Sequence, residues 1–223
     1  MRSDDEIGEV RRLRGQLGAL DADIQTARRD LERATTAHFE EYFQGAPLRR
    51  PPDHVDGEPM RLRDGATVMV RPVEPADSSL LEEGFHDLSA VTRYRRFLFD
   101  RPDLTGEEAR ELTQLDHRDH EAIIAIDPKT GDGVGIARYV RDDADRACAV
   151  AGITVIDRWQ GRGLGTELLG RLAARARDAG IERFEAHMIA GDAEAQRMFE
   201  HLGPVETSQR SRGTLDVTVR LAR

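Results

Sequence analysis

The stretch "TVIDRWQGRGLGTELL", from Thr154 to Leu169, decides the fold of this chain. An apolar run rich in β-branched residues leads into a glycine-rich turn, and the turn opens directly onto a helical pattern. In such a turn, several backbone N–H groups and the positive end of the helix dipole converge on one point, an arrangement that binds phosphate. Gly161, Gly163 and Gly165 allow the close approach and the unusual dihedral angles that the turn needs.

The spacing of these glycines argues against two common classes of phosphate site. A P-loop requires a lysine after its last glycine, but Gly165 is followed by Thr166 and no "GK[ST]" occurs in the chain. A dinucleotide-binding fingerprint requires G-x-G-x-x-G, whereas the spacing here is G-x-G-x-G. A second glycine cluster, from Gly131 to Gly135, has the same spacing but lies between two strand patterns, so it predicts a hairpin turn.

Length, charge and cysteine content limit the remaining possibilities. The chain has 223 residues, a formal net charge of −9 and one cysteine, Cys148. The length predicts one ordinary domain and an appendage, and the negative charge argues against general nucleic-acid binding. A lone cysteine fits a reducing compartment, and since neither a secretory signal nor a membrane-spanning run is readable, we expect a cytoplasmic location. Arg158 and Arg162 mark the one place where an anionic ligand is expected.

The N-terminal part carries a different pattern from the rest. From Leu13 to His38, apolar or small residues recur at alternating intervals of four and three, which predicts a long helix with a heptad seam over residues 1–44. Either this helix packs on its own domain, or it pairs with a second copy as a coiled coil and gives a homodimer. Residues 45–62 are rich in proline and predict a linker, and residues 63–223 are expected to form the folded domain.

Residues 63–223 show a mixed pattern of strands and helices. The predicted strands are "TVMVRPV", "EAIIAID", "VGIARYV", "CAVAGITVI", "RFEAHMI" and "GTLDVTVRLAR". The predicted helices lie around Ala76–Phe85 and Ala90–Phe97, along "GLGTELLGRLAARARDAG", and from Asp192 to Leu202. This alternation predicts an α/β (α+β) fold.

The turn also carries a specific family resemblance. "QGRGLG", from Gln160 to Gly165, resembles the pyrophosphate-binding signature Q/R-x-x-G-x-G/A of the GNAT superfamily of acyl-coenzyme A-dependent N-acetyltransferases. The surrounding "ITVIDRWQGRGLGTELL" and the later "AGDAEAQRMFEHLG" are similar to that family's core strand and helix and to its penultimate helix. Four further stretches, "RPVEPAD", "RYRRFLF", "LDHRDHEAIIAID" and "GVGIARYVRD", are similar to the acetyltransferase domain of bacterial Pat-type protein lysine acetyltransferases. The resemblance covers about Arg63 to Gly203.

The resemblance implies a GNAT fold, whose mixed central sheet is flanked by helices. The fourth and fifth predicted strands would splay apart, and acetyl-coenzyme A (acetyl-CoA) would enter the gap as co-substrate. The acyl group would lie near Ala151 and Gly152, the pantetheine arm on the backbone of Ile153 to Val155, and the pyrophosphate on the turn. No metal is implied. The cofactor-binding residues expected on this basis are Ile153, Thr154, Val155, Gln160, Gly161, Arg162, Gly163, Leu164, Gly165 and Thr166.

The chain departs from the Pat-type pattern where the chemistry needs a base. Val150 stands where those enzymes carry a glutamate, and Phe199 is the aromatic residue available where the superfamily often has a tyrosine. Attack on a thioester needs a neutral amine, although a primary amine with a pKa of about 10 is mostly protonated at neutral pH. Cys148 is favoured as a packing residue, and the catalytic residues stay unassigned at this point. The titratable side chains that offer substitutes are Asp116, His117 and His120. His187, within "RFEAHMI", faces either the cofactor gap or the core, and the sequence leaves this open.

Two functional hypotheses follow from these residues. The first is an acyl-CoA-dependent N-acetyltransferase that transfers acetyl from acetyl-CoA to a primary amine, either a small molecule or a protein lysine. The second is a catalytically impaired acyl-CoA-binding module with a regulatory role, in which the N-terminal helix is the interaction element. The glycine-rich turn supports both hypotheses, whereas Val150 and Phe199 favour the second.

Overall fold

The computed structural model describes residues 54–99, 101–211 and 213–222, and these form one sheet with helices packed against it. The strands are β1 (Glu58–Arg61), β2 (Thr67–Pro72), β3 (His120–Ile126), β4 (Gly133–Arg141), β5 (Cys148–Val155), β6 (Arg183–Ile189), β7 (Val205–Ser211) and β8 (Thr214–Arg220). The helices are α1 (Ser78–His86), α2 (Ala90–Phe97), α3 (Gly106–Thr113), α4 (Leu164–Asp178) and α5 (Ala193–Glu200). Every strand and helix predicted within residues 63–223 is present.

The sheet is mixed, with the strand order β1-β2-β3-β4-β5-β6-β8-β7. Its one parallel pair is β5 and β6, which α4 connects. Parallel neighbours need a crossover element, whereas antiparallel neighbours need only a turn. The stretch from Thr154 to Leu169 provides this crossover, because it contains the end of β5, the glycine-rich turn and the start of α4. The expected fold class is confirmed, and the fourth and fifth predicted strands are β5 and β6.

Helix α4 packs its apolar face against the centre of the sheet, where Leu164, Leu168 and Leu172 are almost fully buried. A Cβ atom at Gly135 of β4 would lie 3.2 Å from Leu168 Cδ1, so glycine lets the helix approach the strand closely. The other end of that glycine cluster forms the β3–β4 hairpin, in which Gly131 has a φ of 80°. The hairpin prediction is therefore confirmed, and the close packing fixes where α4 begins.

The opposite face of the sheet is covered by α1 and α2. A second buried cluster of Val73, Ala122, Ile124 and Ile126 packs against Leu80 of α1. Helix α2 lies against β5 and β6 on the same face. Because side chains alternate between the two faces of a strand, every second residue of β5 faces α2.

Three elements differ from the sequence-based expectations. Strand β1 lies within residues 45–62, which were predicted to be a linker, because Met60 is buried where β1 pairs with β2. The folded domain therefore begins before residue 63. Strand β7, "VETSQRS", is exposed along its whole length and so has no apolar alternation to reveal it. Helix α3 is short and begins with a capping box between Thr105 and Glu108.

The predictions for the N-terminal part fall on residues whose structure is not described. These predictions are the helix over residues 1–44, its heptad seam and the first half of the linker, so the coiled coil and the homodimer stay predictions. In the described ranges, no helix is both long enough and apolar enough to cross a membrane.

Candidate functional site

A cleft opens in the middle of the sheet, where β5 and β6 diverge. The two strands pair only between Cys148–Val150 and Arg183–Glu185. From Ala151 to Val155, β5 is paired with β4 on one side, but none of the described strands pairs with it on the other. The cleft has a volume of about 790 Å³, within the usual size of a small-molecule site. The splay that the resemblance implied is thus present, and it leaves one edge of β5 free to pair with a ligand.

The turn between β5 and α4 forms one end of this cleft. Gly161 and Gly163 have φ values of 72° and 87°, in the left-handed region that favours glycine. Gly163 is the N-cap of α4, and no side chain of the described segments caps this helix. Its first backbone N–H groups are therefore available to an anion. A Cβ atom at Gly165 would lie only 2.7 Å from Met198 Sδ, which shows how closely α5 covers the turn.

Asp157 and Gln160 fix the turn in place. The Asp157 carboxylate accepts hydrogen bonds from the N–H and hydroxyl groups of Ser89, at 2.9 and 2.8 Å, and from the Thr92 hydroxyl at 2.9 Å. Burial alone would raise the pKa of Asp157, but these hydrogen bonds lower it below its ordinary value. Gln160 Nε2 donates to the carbonyl of Val155 at 2.9 Å. These hydrogen bonds hold the turn against the end of β5 and the start of α2.

The residues expected to bind coenzyme A line this cleft, with the exception of Arg162. The Arg162 guanidinium lies over the Trp159 ring, 4.7 Å from its centroid, and 3.4 Å from an Asp64 carboxylate oxygen. Arg158 also lies outside the cleft, where it pairs with Asp87 at 2.6 Å. The structure thus differs from the expectation that these two arginines supply the charge for an anion, because each is held by an acidic neighbour.

Other arginines give the cleft its positive charge. Arg95 pairs with Asp192, the N-cap of α5, at 3.7 Å. Burial first, and then the nearby charge of Arg138, lowers the pKa of Arg96 to about 10. The sequence showed only a local cluster in "RYRRFLF", and the fold is needed to bring the whole set together. The arginines that line the cleft are Arg63, Arg95, Arg96, Arg138 and Arg197.

Val150 lines the cleft at the point where β5 and β6 begin to diverge, and it is 39% exposed. Its register partner on β6 is Glu185. Two residues further along β6, His187 also lines the cleft. Its Nδ1 lies 2.8 Å from an Asp216 carboxylate oxygen, and its Nε2 lies 3.8 Å from Glu185. The sequence left the orientation of His187 open, and the structure places it in the wall of the cleft.

The other candidate bases lie outside the cleft. Asp116 accepts hydrogen bonds from backbone N–H groups of its own loop, the strongest from His120, and these lower its pKa to about 2. His117 is 2.9 Å from the buried carboxylate of Glu121. Cys148 is buried, and this burial raises the pKa of its thiol. Within the part of the chain that the structure describes, no group of three or more His, Cys, Asp or Glu side chains is placed to hold a metal ion.

Comparison with known families agrees with this geometry. The model of the acetyltransferase (GNAT) family matches residues 88–203, more than half of the chain. The chain is also similar to acetyltransferase Pat of Mycolicibacterium smegmatis (strain ATCC 700084 / mc(2)155), with 31% identity over 147 residues. That match covers 66% of this chain and 44% of the relative, so the chain spans less than half of the relative's length.

Solved structures show the same similarity. The GNAT domain of S. lividans PAT matches with a TM-score of 0.66 and 28% identity, over 74% of this chain and 96% of that one. The yncA protein of Salmonella typhimurium, solved with its cofactor acetyl-CoA, matches with a TM-score of 0.53 and 22% identity, over 69% of this chain and 92% of that one. The second likeness concerns the fold alone.

Proposed function

Because the chain belongs to the acetyltransferase (GNAT) family, we propose that it transfers the acetyl group of acetyl-CoA to a primary amine. The observation that carries this proposal is that the free edge of β5 leads directly to the uncapped N-terminus of α4. A strand edge pairs with amide groups, and a helix N-terminus binds phosphate. Coenzyme A carries both kinds of group along one extended molecule.

The residues present fit such a ligand. Its pantetheine amides would pair with the backbone of Ile153 to Val155, and its pyrophosphate would bind the first turn of α4. A Cβ atom at Gly163 would lie 3.1 Å from Arg63 Nε, so glycine keeps this end of the cleft open and leaves an arginine beside it. A side chain at Gly163 would crowd Arg63, and one at Gly165 would crowd Met198 of α5.

The chemistry makes one demand on a protein side chain. The acetyl thioester supplies an activated acyl group, and transfer forms a bond from the amine nitrogen to the acyl carbon while the carbon–sulfur bond breaks. The amine proton passes to a base. A thiol with a pKa of about 8.5 is an acceptable leaving group without an acid, so the lack of a hydroxyl at Phe199 is no obstacle. Removal of the amine proton is the step that needs a residue.

We assign this step to His187. The side chain lines the cleft on the strand next to Val150, where the resemblance predicted a glutamate. When Nδ1–H donates to Asp216, Nε2 carries the lone pair that can accept the amine proton. Asp216 then orients the ring, as the third member of many catalytic sets orients its base.

The proposal also covers the amine acceptor, the cellular location and the partners of the protein. The resemblance to Pat-type protein lysine acetyltransferases supports a protein lysine as acceptor, with a small-molecule amine as the alternative. The lone cysteine supports a cytoplasmic location, and the net charge of −9 argues against a nucleic-acid partner. The heptad seam supports a homodimer through the N-terminal helix.

Two measurements on the full chain test the proposal. Calorimetry with acetyl-CoA measures binding, and release of free thiol over a panel of amines and proteins measures turnover. We expect both binding and amine-dependent release. His187→Ala should reduce turnover by about 10²–10⁴-fold while acetyl-CoA still binds. His120→Ala removes an exposed histidine outside the cleft and is the matched control.

Each outcome separates one part of the proposal from the rest. Binding without turnover on any acceptor would support the alternative, a catalytically impaired acyl-CoA-binding module in which Val150 marks the lost base. Absence of binding would contradict the enzyme and the module alike. Normal turnover in His187→Ala would contradict only the choice of base.

A further inference from the structure

Arg96 of α2 lies over β5 at the point where β5 leaves β6. Its Nη2 is 3.0 Å from the position that a Cβ atom of Gly152 would occupy, so glycine makes room for the guanidinium. The side chain is partly buried, and its Cζ lies 5.4 Å from the centroid of the Phe97 ring. No carboxylate of the described residues forms an ion pair or a hydrogen bond with it.

Arg138 occupies the neighbouring position on β4. Gly152 is its register partner, and paired residues of adjacent strands point to the same face of the sheet. Arg138 and Arg96 therefore flank the same glycine, and both line the cleft. Arg138 is also partly buried, and across the described segments it has no ion pair and no side-chain hydrogen bond.

Two unpaired guanidinium groups in one partly buried place are costly. Burial first, then the charges of Arg138 and Arg101, lower the pKa of Arg96, and burial also lowers the pKa of Arg138. Elsewhere the chain gives a partly buried arginine its own acid, as in the pair of Arg71 and Asp77 at 2.6 Å. Charges that are withdrawn from water are normally paired, so the pair in the cleft calls for an anion from outside the chain.

We propose that Arg96 and Arg138 together bind a substrate carboxylate next to the reacting acyl group. This inference rests on the proposed function, which puts the acyl group near Ala151 and Gly152. The reaction is then an acyl transfer in which one of the two substrates, the acyl donor or the amine acceptor, carries a carboxylate. Either the amine acceptor carries the carboxylate, as an amino acid does, or the acyl chain ends in one, as a succinyl group does. Guanidinium groups match the planar, two-oxygen shape of a carboxylate.

The phosphates of coenzyme A do not explain this arginine pair. Val155 lies three positions beyond Gly152 along the extended strand, a distance of about 10 Å, and the glycine-rich turn begins only after that. The neighbours on the same face, Val140 and Val150, are apolar and provide no charge of their own. Across the splay, the carboxylate of Glu185 faces His187 instead.

Comparison of charged with neutral substrates on the full chain tests the proposal. In one arm, succinyl-CoA is compared with acetyl-CoA by thiol release. In a second arm, amino acids are compared with their own amides as acceptors. In a third arm without any coenzyme A, thermal unfolding is followed with succinate and with succinamide. Each arm uses the wild type, Arg96→Met, Arg138→Met and the control Arg93→Met, whose guanidinium lies over the Phe85 ring outside the cleft.

The expected result is a preference of at least about tenfold in kcat/KM for the carboxylate-bearing partner in one of the first two arms. The arm that shows it identifies which substrate carries the carboxylate. Arg96→Met and Arg138→Met should each reduce the preference to about twofold or less, whereas Arg93→Met should keep it. A general loss of activity does not imitate this result, because the readout is a ratio.

Two outcomes would overturn the proposal: equal use of charged and neutral partners in both arms, or a preference that survives both variants. If acetyl-CoA does not bind, the proposed function fails, but the third arm still decides the carboxylate site. Stabilisation by succinate and not by succinamide, lost in Arg96→Met and Arg138→Met, supports the site. An equal response to the two compounds contradicts it.

Discussion

Replacement of Arg96 by methionine is expected to make the free protein more stable. Folding moves this guanidinium out of water and towards Arg138, and within the described residues no carboxylate offsets the charge. Methionine is long and uncharged, so it keeps most of the packing over Gly152 and Phe97. The substitution removes an electrostatic cost without opening a cavity.

The lowered pKa of Arg96 sets the size of this cost. The fall of the Arg96 pKa from its ordinary value to about 10, at about 1.4 kcal/mol for each pKa unit, gives a ceiling of about 3.5 kcal/mol. The side chain is partly exposed, so solvent screening reduces that figure. Loss of the contact with the Phe97 ring removes about 0.5 kcal/mol more. We expect the free energy of unfolding to rise by about 1–2 kcal/mol.

The pH dependence of this gain follows from the sign of the shift. For a base whose pKa is lowered by folding, the cost is fully present below the folded pKa and falls to zero between the folded pKa and the higher unfolded pKa. The gain should therefore be the same between about pH 6 and pH 9. Urea unfolding of the full chain at both ends of this range measures it. Arg93→Met, on the same helix, should be neutral or slightly destabilising, because it loses only a contact with the Phe85 ring at 5.5 Å.

A contrary result would be informative. If Arg96→Met is less stable than the wild type, or gains no more than Arg93→Met, the charge of Arg96 is compensated in the free protein. The two arginines would then have no electrostatic need for an external anion.

Further predictions concern the glycine-rich turn, Asp157, which anchors it, and Val150. Gly163→Ala should lower the free energy of unfolding by about 1 kcal/mol and weaken acetyl-CoA binding at least about tenfold, since its φ is 87° and a Cβ would meet Arg63 at 3.1 Å. Gly170→Ala, in open space within α4, should instead raise the free energy of unfolding by about 0.5–1 kcal/mol. Urea unfolding and calorimetry compare these two variants, and a Gly163→Ala variant that is more stable than Gly170→Ala would contradict the prediction. Asp157→Asn should lower the free energy of unfolding by about 1 kcal/mol at neutral pH. This difference should shrink as the pH falls below about 4, because a carboxylate with a lowered pKa stabilises the fold only while it is ionised. A difference in stability that persists in acid would count against the assigned hydrogen bonds. Val150→Glu should raise the rate of thiol release by adding a carboxylate base to the cleft besides His187, and an unchanged rate would show that position 150 is not adjacent to the reacting amine.

The part of the site that binds through its backbone could be predicted from consecutive residues. The turn needs glycine at Gly161 and Gly163 because of their positive φ, and the apolar face of α4 follows directly in the sequence. Such features are local, so the strand–turn–helix pattern and its family signature already contain them. The free edge of β5 was reached only through the resemblance, because divergence of two strands has no local pattern.

The side-chain lining of the cleft could not be predicted in the same way. Arg96 and Arg138 meet at Gly152 because of the β4–β5 register and because Asp157 holds α2 over the sheet. Arg162 was expected at the phosphate site because it lies within the signature, yet its neighbours in space are Trp159 and Asp64. A long side chain can reach several partners, so its neighbours in the sequence do not predict its neighbours in space.

The short pairing between β5 and β6 has a consequence for the life of the protein in the cell. Along the sheet, only three residue pairs join the block β1–β5 to the block of β6, β8 and β7. A ligand that binds along the free edge of β5 acts in part as the absent stretch of strand, and whatever binds only the folded state stabilises it by mass action. The chain is therefore expected to resist heat and proteases better when its acyl donor is plentiful, with a gain that grows as the logarithm of the donor concentration. Starvation for that donor would then lower the amount of the protein as well as its activity.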